Sequence, residues 1–110
     1  MNKSNNTNGY EYAIATFAIC EAAALYKLEE YQNTMESMIS HIIDGQNRDG
    51  GYGYKYNDNT SVLTLTGWNA LALKAADYAE CKNPEMPDAR YRLMVFIKSR
   101  CTMETFSYWA

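Results

Sequence analysis

The sequence predicts an all-α protein. Three observations lead there. Four stretches carry apolar residues at helical spacing, one segment rich in Gly, Asn and Asp separates the second from the third, and the first half of the pattern returns in the second at a nearly constant offset. At 110 residues the chain makes at most one small domain, read as 1–110 with repeat units over about 10–56 and 57–109.

The first helix is expected over Tyr10–Lys27. It is rich in Ala, the best helix former, and apolar almost all the way round, which implies burial on more than one side. The second is expected over Glu30–Asp44. Tyr31, Met35, Met38, Ile39, Ile42 and Ile43 make a single apolar stripe, with Glu30, Gln32, Asn33, Glu36, Ser37 and Ser40 opposite.

Residues Gly45–Asn59 then break the pattern, because Gly, Asn and Asp at this density form turns. Asp58, Thr60 or Ser61 is placed to cap the next helix by accepting from its free N–H groups. That third helix, Ser61–Glu80, is again apolar over most of its circumference. The fourth, Pro87–Arg100, starts on a proline suited to a first helical turn and shows one stripe, Ala89, Leu93, Phe96 and Ile97. Helices buried on several sides thus alternate with one-sided ones.

The alternation is a repeat. His41–Gln46 is echoed by Phe96–Cys101 at an offset of 55, Gly50–Tyr54 by Glu104–Tyr108 at 54, and Ala22-Ala23 by Ala75-Ala76 at 53. Fixed-period recurrence marks a helical array in which each unit buries its face against the next.

Composition removes several function classes. Ten Lys+Arg against thirteen Asp+Glu give a net charge of −3, so the basic footprint of a nucleic-acid binder is missing, as is any polybasic patch for an anionic membrane surface. The longest uncharged stretch, Asn59–Leu73, has fifteen residues with Asn and Thr among them, short of the roughly 20 apolar residues of a membrane span. The polar segment Met1–Gly9 lacks the apolar core of a secretory signal and reads as a loop or frayed end. The compartment stays open, cytoplasmic or exported as part of a longer chain. Cys20, Cys81 and Cys101 are odd in number and form no CxxC, so neither a disulfide framework nor a zinc knuckle is indicated, and Cys20 reads as packing.

The residues carry a resemblance. Ile42-x-x-x-Gln46, then Asp49-Gly50-Gly51-Tyr52-Gly53-Tyr54, then Ser61–Ala76, resembles the prenyltransferase/squalene-cyclase repeat, whose QW signature is an aromatic and an aliphatic residue, three variable positions, Gln, and Gly-x-Trp. His41 stands at the aromatic position and Tyr52 at the Trp position. In the second copy Cys101 stands where Gln would be and Glu104 where Gly would be. The resemblance covers about Tyr10 to Trp109. It implies an α/α toroid of two concentric helix rings, with Tyr10–Lys27 and Ser61–Glu80 inner and Glu30–Asp44 and Pro87–Arg100 outer. Two hairpins make an incomplete ring. Truncation at both ends, or self-association through exposed apolar inner helices, is therefore expected, with the remainder of a larger toroid as the other partner.

Within the signature, Gln46 offers an acceptor and two donors, able to accept from unpaired N–H groups of one helix end and donate to unpaired C=O groups of another. Tyr52 would cover that amide, and Gly50 would make room and permit the turn. The motif is thus read as a structural staple: Gln46, Gly50, Tyr52.

Catalytic chemistry is sought and not found. No DxDD acid cluster occurs, since Asp44, Asp49 and Asp58 are scattered through a turn. The Asp, Cys and His zinc set of protein prenyltransferases has no counterpart: His41 is the one histidine, on an outer helix, where packing is the better reading. Gly51-Tyr52-Gly53-Tyr54 is neither a P-loop nor a dinucleotide fingerprint. Asn57-Asp58-Asn59 fails the EF-hand order, and capping is favoured. Glu21, in an apolar helix, is expected to be paired. No catalytic residue, metal ligand or cofactor is assigned.

By carry-over, Tyr54, Tyr56, Asp58 and Trp68 lie near the mouth of a central cavity, where aromatic rings could stabilise a carbocation or stack on a sugar. The alternative is that these rings fill space between helices. The function expected is a repeat segment with a structural or interaction role and no complete active site. The alternatives are a piece of a terpenoid cyclase or prenyltransferase whose catalytic residues lie elsewhere, and a carbohydrate-active toroid.

Overall fold

The computed structural model describes the backbone of residues 7–109 and the side chains of residues 7–101. Four helices, α1 (Gly9–Tyr26), α2 (Glu29–Asp44), α3 (Leu63–Tyr78) and α4 (Met86–Trp109), account for most of it, and no strand occurs among the described residues beyond an isolated bridge between Asn8 and Lys55. The fold is all-α. It consists of two hairpins, α1–α2 and α3–α4. α1 packs most extensively on α3, α2 lies against both, and α4 lies against α3. α1 and α3 run in the same direction: the Tyr10 ring meets Trp68 edge-on near their starts, and Tyr26 and Tyr78 line one cavity at their ends.

Each helix begins and ends for a local reason. Asn8 caps α1, its side-chain oxygen accepting from the Tyr10 and Glu11 N–H groups at 2.9 Å. Lys27, left-handed at φ 56°, ends α1 and turns the chain into α2 within two residues.

α3 begins two residues later than expected, after Val62, with no side-chain cap. The candidate caps are engaged elsewhere. Asp58 accepts from the Thr60 and Lys55 N–H groups within the loop, and Ser61 donates to Asp49 at 2.6 Å while accepting from Asn47. α4 runs past the expected end at Arg100 to Trp109. Nothing in Cys101–Trp109 is Gly or Pro, so nothing stops propagation once the helix is nucleated. The side chains of the degenerate second signature at Glu104–Tyr108 lie outside the described residues.

Burial follows the repeat. Ala13, Thr16, Cys20 and Ala23 of α1 are buried, and so are their counterparts in α3 at an offset of 53, Thr66, Asn69, Leu73 and Ala76. Met35, Ile39 and Ile42 of α2 are buried, and so are their counterparts in α4 at an offset of 54, Ala89, Leu93 and Phe96. The second offset corrects the 55 read from the sequence and sets Arg100, rather than Cys101, at the position equivalent to Gln46. The core joins these sets with Tyr52 and Tyr56 from the intervening loop.

Candidate functional site

The chain between α2 and α3 returns to the end of the molecule where α1 starts, and its polar groups converge there. Thr7 and Gly9 exchange backbone hydrogen bonds with Tyr56 and Tyr54. This ties the loop to the head of α1.

Gln46 lies two residues beyond α2 and is half-buried. Its Nε2 donates to the Gly50 carbonyl at 2.9 Å and to the Ala89 carbonyl, in the first turn of α4, at 3.0 Å. Its Oε1 accepts from Arg92 Nη2 at 2.7 Å, and Arg92 Nε donates to Asp88 at 3.1 Å. The carboxamide thus bridges the loop and α4. One part of the expectation is corrected: the acceptor is filled by a guanidinium rather than by free N–H groups of a helix end. Arg92 is four residues beyond Asp88 and reaches Gln46 without leaving that ion pair.

Gly50 sits at φ +93°, and a Cβ there would strike the Arg92 carbonyl. The turn therefore needs glycine on both counts. Tyr52 is fully buried, its hydroxyl donating to the Ile42 carbonyl at 2.9 Å in the last turn of α2 and its N–H donating to Thr66 Oγ1. Its hydrogen bonds make it a strut between α2 and α3. Burial drives the Tyr52 phenol far above its ordinary value, with the Arg92 charge opposing.

The four candidate cavity residues differ in their surroundings. Tyr54 is 65 % exposed, whereas Tyr56 is fully buried. The Tyr56 hydroxyl donates to Asn69 Oδ1 at 2.6 Å, and Asn69 Nδ2 donates to the Leu65 carbonyl at 2.9 Å. Asp58 is held by the loop turn, and Trp68 lies half-buried against Tyr10 at 5.7 Å. Tyr56 is thus packed between helices, and Trp68 rests edge-on against Tyr10 with part of its ring exposed.

His41 joins a packed aromatic group, 4.7 Å from the Tyr12 ring and 5.6 Å from Tyr56, with Nε2 3.0 Å from Thr7 Oγ1. Tyr56 fills the space beside Gly45, where a Cβ would collide with its ring. Cys20 is packed with its thiol on the Ala72 carbonyl at 3.8 Å, and burial, then the neighbouring Cys81, Glu21 and Glu36, push it up to about 12. Such a thiol is protonated and unreactive at neutral pH. Glu21, expected to be paired, is exposed and in no ion pair among the described residues.

Sequence reasoning missed Arg92, Asn69 and Thr66. The last two carried a signal, as polar residues inside an apolar helix. Arg92 carried none, because its partner lies 46 residues away. No group of three or more His, Cys, Asp or Glu among the described residues could hold a metal ion, and no described helix is long and apolar enough to cross a membrane.

Two apolar features lie on the surface. A groove of about 120 Å³ runs between α3 and α4, lined by Ala70, Leu71, Leu73, Lys74, Leu93 and Met94. A shallower cavity of about 390 Å³ opens among Glu21, Leu25, Tyr26 and Tyr78. Leu25 is 72 % and Tyr78 82 % exposed. In comparison with known proteins, no family model, curated protein or solved structure matches this chain.

Proposed function

We propose that this chain is a repeat segment of an α/α-toroid protein with a structural or interaction role and no complete active site of its own. One observation carries the reading: the two hairpins bury equivalent positions at near-constant offsets, while apolar surface on α1, α3 and α4 has no partner. A repeated helical unit works by lending such faces to neighbours. The QW-like signature supports the reading further, since Gln46, Gly50 and Tyr52 are all used to join helices.

The test is a hydrophobic dye added to the dilute protein. Wild type is expected to bind it, and the triple variant Leu25→Ser, Leu71→Ser, Tyr78→Ser to lose most of that binding while keeping its helical circular dichroism. A wild-type chain that binds no dye overturns the reading.

A specific observation favours a second reading, a terpenoid cyclase or prenyltransferase piece. The exposed stripes of α1 and α3 are largely apolar and in register, with Ile14, Ala18 and Leu25 matching Gly67, Leu71 and Tyr78. In a closed ring such stripes would line a cavity for an apolar chain. Saturable binding of a linear isoprenoid, lost in the same triple variant, would support it; no binding would count against it.

A further inference from the structure

We propose that the α3–α4 groove is a docking site for α1 of a second copy of this chain, so that copies assemble head to tail. The inference rests on the interaction reading above and names the partner.

The chain itself shows what such a groove accepts. Buried positions of α1 and α2 recur in α3 and α4 in the same repeat register, so the α3–α4 hairpin is the equivalent of α1–α2. Within one chain, α3 seats on α1–α2 and touches both helices. On α3–α4 the corresponding surface is open. It holds an apolar groove of about 120 Å³ floored by Ala70, Leu71, Leu73 and Leu93, with Met94 half exposed at its edge. The helix equivalent to α3 is α1, and α1 of another copy is therefore the segment whose repeat register fits.

α1 has the surface for it. Ala15, Ala18 and Ala22 are exposed or half-exposed along α1 and allow close approach of two helices. The existing α1–α3 contact uses residues of the same size, with Cys20 on the Ala72 carbonyl. α1 carries Glu11 and Glu21 and no basic residue, whereas the groove is rimmed by Lys74 and Arg90, and groove-on-groove contact would set Lys74 against Lys74.

The two faces differ, so the contact is heterologous and propagates into rings or open arrays rather than stopping at a two-fold dimer. Sedimentation equilibrium over a wide concentration range tests it. The wild-type mass is expected to rise with concentration above 12.6 kDa toward multiples beyond two. Met94→Asp in the groove and Ala15→Asp on α1 should each hold the chain near the monomer, with circular dichroism and melting confirming that each variant folds. Mixing the two variants leaves one intact groove and one intact α1 face and should give a dimer and nothing larger. A wild-type chain that stays monomeric overturns the inference. So does wild-type association that stops at a dimer, or association that survives both variants; the dye result then still decides the interaction reading separately.

Discussion

Gln46 and Arg92 lie 46 residues apart and meet at 2.7 Å, the guanidinium donating to the carboxamide oxygen while the carboxamide nitrogen donates to two backbone carbonyls. A single side chain thereby closes the loop after α2 onto the first turns of α4. Removing it strands the Gly50 carbonyl and a guanidinium donor together.

Gln46→Ala is expected to lower stability by about 1–3 kcal/mol, the range for leaving partly buried partners unpaired. Urea unfolding checks this, with a lower midpoint and an unchanged slope. Gln46→Glu keeps the acceptor for Arg92 but loses both donors, so it too should unfold more easily. An unaltered midpoint in both variants would contradict the staple.

Two glycines should respond in opposite directions to alanine. At Gly45 the new Cβ meets the buried Tyr56 ring, and overpacking of this kind costs about 1–3 kcal/mol. At Gly67, inside α3, a Cβ meets nothing within 4 Å. Gly67→Ala should therefore stabilise by up to about 1 kcal/mol, the helix-propensity difference. Thermal melting of the two variants side by side reads both signs.

The two buried phenols should differ in what their hydroxyls contribute. Tyr56→Phe leaves Asn69 Oδ1 without its donor in a fully buried site and is expected to cost about 1–3 kcal/mol. Tyr52→Phe should cost less, because the Ile42 carbonyl still accepts from the Gly45 N–H at 3.0 Å. Equal midpoints for the two variants in chemical denaturation would refute this ordering.

Stability should fall at alkaline pH. Burial raises the Cys20 thiol from 9.0 to about 12 and, with Glu36 adding to it, the Cys81 thiol from 9.0 to about 11; Tyr52 and Tyr56 rise from 10.0. These groups stay protonated in the folded chain at a pH where the unfolded chain has released the protons. Their contribution is therefore fully present below about pH 9 and is lost progressively as pH climbs from there through the folded values. Unfolding midpoints measured from pH 7 to 11 should hold level and then decline, and Cys20→Ala should make the decline shallower.

Periodicity made the helices legible. The apolar stripes of α2 and α4 and the Gly-rich break after Asp44 placed every element to within a few residues, except the end of α4, where no Gly or Pro marks a stop. Gln46, Gly50 and Tyr52 could be read because a turn, an amide and a ring at that spacing have few uses besides joining helices. The proposed mouth residues could not be read in the same way. Positions only two apart in a turning loop face different directions, so Tyr54 points to solvent while Tyr56 is sealed against Asn69. The partner of Gln46 depended on where α4 lies in space, which no local pattern encodes.

The polar ties are distributed unevenly. Gln46, Tyr52, Tyr56 and Asn69 gather where α1 and α3 begin, whereas toward the ends of α1 and α3 the ties are Glu36 on the Lys82 N–H at 2.7 Å and on the Cys81 thiol at 3.2 Å, and Tyr26 and Tyr78 are largely exposed. Fraying should accordingly start at that lightly tied pole and travel toward the loop, in the manner of a zipper opened from one side. Deuterium uptake would enter the amides near Tyr26 and Tyr78 long before those flanking Asn69.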